Sequence, residues 1–119
     1  MKKNIGSKGE LYAAHYLQSK GYEIMIRNFY TKFGEIDIVA KKNNKISFVE
    51  VKTRTHDYFG SPEESISFIK MNRLKLTIKK FLLNKSIFRE WQIDVIAIRL
   101  NSFEELVDLR HYKNVEFVK

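Results

Sequence analysis

Apolar residues return at helical spacing through residues 7–19, where Ala13, Ala14 and Leu17 fall on one side and Gly21 follows as a stop. Residues 22–30 are rich in aromatic and β-branched side chains and read as a strand, and residues 33–41 and 46–54 alternate by residue type as two further strands. Between these last two lies Lys42-Asn43-Asn44-Lys45. Asparagine tolerates positive φ, so Asn43-Asn44 predicts a tight hairpin turn. A loop over residues 55–62 leads into a long helix over 63–84, whose apolar stripe is Leu74, Ile78, Phe81 and Leu82. Residues 91–100 are apolar on both faces apart from Gln92 and Asp94, the pattern of a central strand, with Trp91 read as core. A last strand is predicted over 105–111. A helix joining two strands predicts a right-handed parallel crossover, and hence an α/β fold with a mixed β-sheet flanked by helices.

The hairpin carries the candidate chemistry. Strand side chains alternate between faces, so Ile36, Ile38 and Ala40 share one face while Glu35 and Asp37 point the other way. On the partner strand Val49, Val51 and Thr53 oppose Phe48, Glu50, Lys52 and Arg54. Each strand thus has an apolar and a charged face. A turn centred between Asn43 and Asn44 pairs Asp37 with Glu50 and Glu35 with Lys52. Directly opposed carboxylates destabilise a sheet. A divalent cation offsets that cost, because carboxylate oxygens are its preferred ligands. The same spacing also describes an ordinary ion-pair ladder on a solvated face. Glu10 shares the inward side of the first helix, placed there either by the helix dipole at an N-terminal turn or by a cation that it faces.

Composition narrows the chemistry. The 119 residues, 44% of them hydrophobic, suffice for one domain with a real core, and no run is apolar or long enough to span a membrane. The basic start lacks the apolar stretch of a secretion signal, so a cytoplasmic protein is expected. Cysteine is absent and the histidines, His15, His56 and His111, lie far apart. Thiolate zinc sites are therefore excluded, and any metal must be held mainly by oxygen, which favours Mg²⁺ or Mn²⁺. A net charge of +8 suits a polyanionic partner, most often nucleic acid.

Gly34-Glu35-Ile36-Asp37 followed by Phe48-Val49-Glu50-Val51-Lys52-Thr53-Arg54 resembles the signature of the PD-(D/E)XK nuclease superfamily. More closely, the chain resembles the small bacterial YraN-like proteins, grouped with Holliday-junction-resolvase-like nucleases of restriction-endonuclease-like fold. The likeness runs from Gly9-Glu10 through Gly21-Tyr22, Arg27-Asn28, the hairpin, Gly60-Ser61-Pro62 and Lys70 to Gln92-Ile93-Asp94-Val95. Ile36 stands where a proline often precedes the first aspartate of the superfamily. The resemblance implies that Asp37 and Glu50 ligate the metal with help from the Val51 carbonyl. Glu10 would match the helix acid that approaches the metal, and Lys52 the lysine that orients or deprotonates the attacking water.

These expectations fit phosphodiester hydrolysis, in which a bound cation lowers the pKa of a water and neutralises developing charge. Arg54 either contacts phosphate or is a surface cation; Lys70 and Arg73 either track the nucleic-acid backbone or belong to a solvated face. His56, Tyr58 and Phe59, in the loop leaving the site-bearing strand, either stack on bases or cap the core. Asp94 is expected to pair with a buried cation, and no histidine is given a catalytic role. The expected function is a Mg²⁺- or Mn²⁺-dependent endonuclease acting on structured or single-stranded DNA, with a homodimer as an open partner. The alternatives are a DNA-binding accessory module of the same fold, and a basic interaction protein whose hairpin charges form only a ladder.

Overall fold

The computed structural model describes residues 4–55, 68–83 and 90–115. Helix α1 spans Asn4–Ser19, followed by strands β1 (Glu23–Thr31), β2 (Gly34–Lys42) and β3 (Lys45–Arg54). Helix α2 (Phe68–Leu83) precedes β4 (Glu90–Leu100) and β5 (Leu106–Tyr112). The five strands form one sheet in the order β1-β2-β3-β4-β5. Only β3 and β4 run parallel; the other neighbours are antiparallel, so the sheet is mixed. The loop residues His56, Tyr58 and Phe59, the Gly60-Ser61-Pro62 segment and the expected start of the second helix lie outside the described residues.

Each face of the sheet carries a helix. Ala13, Ala14 and Leu17 of α1 pack on Ile38, Ala40, Val49, Ile96 and Ile98. On the other face Met71, Leu74, Ile78 and Phe81 of α2 cover Val39, Phe48, Ile93 and Val95. The hairpin strands thus have two apolar faces over much of their length, not one apolar and one charged face. A sheet layered between helices has no solvated face for a ladder of charges.

The turn sets the register as its asparagines require. Asn43 and Asn44 have φ of 53° and 67°, as a type I′ turn requires, and Lys42 pairs with Lys45. The ladder then runs to Ile38 opposite Val49 and stops. The next pair would be Asp37 with Glu50, which is where the expected side-by-side arrangement gives way: β2 and β3 part company. Ile36 and Ile38, two residues apart, lie in opposite cores, so the expected shared face is also broken. Strand β1 is irregular at the same level. Asn28 takes φ 57° in the middle of that strand, between the pairs Arg27–Ile38 and Phe29–Ile36. A left-handed residue interrupts regular strand geometry at the level where β2 leaves β3.

One further expectation changes, and the partners of Asp94 gain detail. Trp91 is 43% exposed, with its ring in edge contact with the core residue Phe48 at 5.8 Å. Strand β4 begins at Glu90, so Trp91 sits at an open end of the sheet rather than in its middle. Asp94 is fully buried and pairs with the buried His111 Nε2 at 2.8 Å, and two neutral donors join it, Gln92 Nε2 at 2.8 Å and the Asn114 backbone N–H at 2.9 Å. Burial alone would raise its pKa, but these donors outweigh it and hold the carboxyl below its ordinary value. An ionised carboxylate only accepts, so His111 Nε2 donates; in the neutral ring Nδ1 then accepts the Tyr16 hydroxyl at 3.1 Å.

Candidate metal centre

Where β2 and β3 separate, side chains replace the missing backbone ladder. The Val51 N–H donates to Asp37 Oδ2 at 2.8 Å, which anchors the carboxylate in the fork. This is the only contact that the described geometry gives between Val51 and the expected ligand set. Around Asp37 gather Glu10 from α1 and Glu35 from β2. One oxygen of each of these three lies within 4.8 Å of the others, and all three residues are half-buried.

Asn28 holds two of them together. Its Nδ2 donates to Glu10 Oε1 at 3.0 Å and to Glu35 Oε2 at 2.9 Å. The left-handed residue level with the end of the ladder thus also carries the amide that orients the acids. Arg27 Nη2 stands 3.7 Å from the same Glu10 oxygen. Helix α1 begins at Asn4, so Glu10 lies beyond the first turn and the helix N-terminus does not explain it. Its position follows from Gly9, which presses against β3. A Cβ on Gly9 would come within 2.9 Å of Thr53 Cβ and closer to its hydroxyl.

Glu50 stands outside this triad. It is nearly buried and ion-paired to Lys70 Nζ at 2.6 Å and Lys52 Nζ at 3.5 Å, both on its Oε2. Its charge still reaches Asp37. Burial first, then the charge of Glu50, push the Asp37 carboxyl up to about 8, against the opposing Val51 N–H; Glu10 and Glu35 add to the rise. Burial and the neighbouring Lys70 push the Lys52 ammonium below its ordinary value, against the pull of Glu50. Burial works against the charge on Lys70 too, but Glu50 outweighs it and carries Lys70 up.

The described donors are all carboxylate oxygens, crowded enough that one holds a proton near neutrality. That is the donor chemistry of a hard divalent cation, and a cation in place of the proton would relieve the repulsion. Beside the acids opens a cleft of about 330 Å³, lined by Phe33, Gly34, Glu35, Glu50, Lys70 and Arg73 among others. Lys70 and Arg73 thus meet the acids in one concavity, whereas Arg54 turns back onto its own strand, its Nη1 donating to the Thr53 carbonyl.

Sequence reasoning placed Glu10, Asp37, Glu50 and Lys52 in one region but missed two contributors. Glu35 was on the charged face without a role, and Asn28 had none. The signal available for Asn28 was an asparagine inside an otherwise apolar and aromatic strand, a residue type that accepts left-handed backbone.

The family model of the uncharacterised protein family UPF0102 matches residues 9–98, a span that holds every residue of this centre. A UPF0102 protein of Clostridium botulinum strain 657 is 43% identical over 114 residues, covering 94% of this chain and 93% of the relative. One from Dictyoglomus turgidum is 40% identical over 113 residues, covering 94% of this chain and 96% of that protein.

Proposed function

This chain belongs to the uncharacterised protein family UPF0102, the YraN-like family, and from that premise and the carboxylate cluster we propose that it is a nuclease. It hydrolyses phosphodiester bonds in structured or single-stranded DNA with Mg²⁺ or Mn²⁺. The observation that carries this assignment is the convergence of Glu10, Glu35 and Asp37 within 4.8 Å, beside a cleft lined by Glu35, Glu50, Lys70 and Arg73. Three acids from two separate elements, with one carboxyl raised to about 8, are costly to a fold that has no use for them.

Asp37, fixed by the Val51 N–H, would hold the cation together with Glu10 and Glu35. Bound there, the cation would lower the pKa of a water and neutralise charge on the phosphate. Lys52, whose ammonium is pushed below its ordinary value by burial, would orient the attacking water and place positive charge beside the phosphate. Glu50 holds Lys52 in reach. Lys70 and Arg73, on the cleft wall, hold the phosphate. The net charge of +8 draws the polyanion to the site.

One observation favours the accessory-module alternative. The Lys70–Glu50 contact of 2.6 Å satisfies Glu50 internally, as in a structural ion pair. Cleavage of labelled duplex, single strand, flap and four-way junction with Mg²⁺ or Mn²⁺ decides, with Asp37→Ala and Lys52→Ala beside wild type. Metal-dependent cutting lost by about 10²-fold or more in both variants is the expected result. Binding without cutting by wild type, in either metal at low salt, would move the assignment to the accessory module.

A further inference from the structure

The other end of the hairpin has its own concavity. Lys45 is five residues from Glu50 along β3, about 17 Å at ~3.4 Å per residue. A hollow of about 310 Å³ opens there, with Lys42, Lys45 and Lys113 on its walls beside Tyr22, Ser47 and Gln92. Among the described residues no acidic side chain lines it. Glu90 is the register neighbour of Lys45 on β4, yet forms no ion pair with it. Asp94 lies behind the wall, its Oδ1 already taken by Gln92 and the Asn114 N–H. Lys42 is set in place, its Nζ 5.1 Å from the centroid of the Tyr22 ring. Three ammonium groups around one polar hollow repel one another, and an anion seated among them removes the repulsion.

A second hollow of about 360 Å³ meets the first at Gln92 and Asn114, and its walls include Lys75 and Trp91. Trp91 is the only tryptophan of the chain, yet it stays 43% exposed. Its edge contact with Phe48 steadies the ring, and Lys75 shares its hollow. A lysine-lined hollow that joins one presenting a steadied aromatic ring matches the two needs of an unpaired strand, charge for phosphate and a flat face for a base.

We propose that the hairpin end of the sheet is a second nucleic-acid contact that takes a single strand, with a phosphate among Lys42, Lys45 and Lys113 and a base stacked on Trp91. The contact rests on the reading that the chain handles nucleic acid, but needs neither the metal nor cutting.

The test follows Trp91 emission while an oligothymidylate of about a dozen nucleotides is added in EDTA, with anisotropy of a labelled copy read in parallel. Wild type should show quenching that saturates with the anisotropy. The Lys42→Ala/Lys45→Ala/Lys113→Ala variant should bind about tenfold more weakly, with a salt slope shallower by roughly 1–2, at about 0.7 per lost single-strand phosphate contact. Asp37→Ala should quench like wild type. Wild type that quenches in this way but cuts no DNA form in Mg²⁺ or Mn²⁺ would sink the nuclease reading and leave this contact standing. Binding by anisotropy without quenching, and unchanged in the triple variant, would overturn this contact and leave the nuclease reading. Equal quenching by inorganic phosphate or thymidine monophosphate at the same concentration would overturn a strand in favour of a small anion. No binding of any kind would overturn both.

Discussion

Lys70 of α2 places its Nζ 2.6 Å from Glu50 Oε2, and Lys52 Nζ reaches the same oxygen at 3.5 Å. Two cations therefore compete for an acid that the motif alone would assign to a metal. The helix that covers one core of the sheet also supplies the stronger of the two, so α2 tethers the site as well as packing the core. If that ammonium restrains Glu50, Lys70→Met should free it. Calorimetric titration should then show Mn²⁺ binding tighter by about 1 kcal/mol, the scale of a partly exposed ion pair. Cleavage should fall even so, because Lys70 also lines the cleft for phosphate. Unchanged metal affinity in Lys70→Met would show that Glu50 has no part in holding the ion.

Asp37 ties the site to pH. Its folded pKa is raised to about 8 from an ordinary 3.8, so the folded state binds the extra proton between those values. The associated stability is complete below the unfolded pKa and is lost as pH rises through 8. Without metal, the melting temperature should therefore decline from pH 4 to pH 8 more steeply for wild type than for Asp37→Asn. The variant should be the more stable protein at pH 8, by roughly 4–8 °C for each kcal/mol relieved. Mg²⁺ at pH 8 should restore wild type and leave Asp37→Asn unmoved. A variant no more stable than wild type at pH 8 would contradict the carboxylate crowding.

Gly9 decides how close α1 comes to β3. On an open helix surface, Gly→Ala stabilises by about 0.5–1 kcal/mol. Here the added Cβ meets Thr53, so Gly9→Ala should destabilise by about 1–3 kcal/mol through overpacking. Backing α1 away would also move Glu10 from Glu35 and Asp37, weakening Mn²⁺ binding. Thr53→Ala in the same chain should recover much of both losses. Denaturant melts of the two single variants and the double supply the cycle. Additive effects would mean that the helix does not rest on Thr53.

Most elements were legible because their periodicity is local. The asparagine turn was enough to set the hairpin register, and with it the neighbourhood of Asp37 and Glu50. What the pattern missed depends on contacts distant in sequence. The fork beyond Ile38 lies level with the left-handed Asn28 on another strand, and Glu35 is tied to Glu10 through that residue's amide. Ladder arithmetic assumes that pairing continues, and nothing between residues 34 and 54 says where it ends. Alternation misjudged Ile36 for the same reason. Trp91 was misplaced because size and apolarity argue for burial, whereas its exposure is set by where β4 begins.

Asp94 and His111 lock β5 to the sheet. Both side chains are buried, and the Asp94 carboxylate accepts three hydrogen bonds, from Gln92, His111 and Asn114. Its pKa is depressed, so the stability it contributes is present above the unfolded carboxyl value and is lost as pH falls through the lower folded one. Asp94→Asn keeps the shape but offers a neutral amide to donors arranged for a carboxylate. The expected cost at pH 7 is about 1–3 kcal/mol, the scale of an ill-satisfied buried polar group. The gap between wild type and variant should begin to narrow below about pH 4, where the unfolded carboxyl takes up a proton that the folded one, with its depressed pKa, still refuses. Urea melts of the two proteins from pH 3 to pH 7 measure that gap. A gap that stays constant with pH would mean that the variant suffers from lost packing and that the charge of Asp94 contributes nothing.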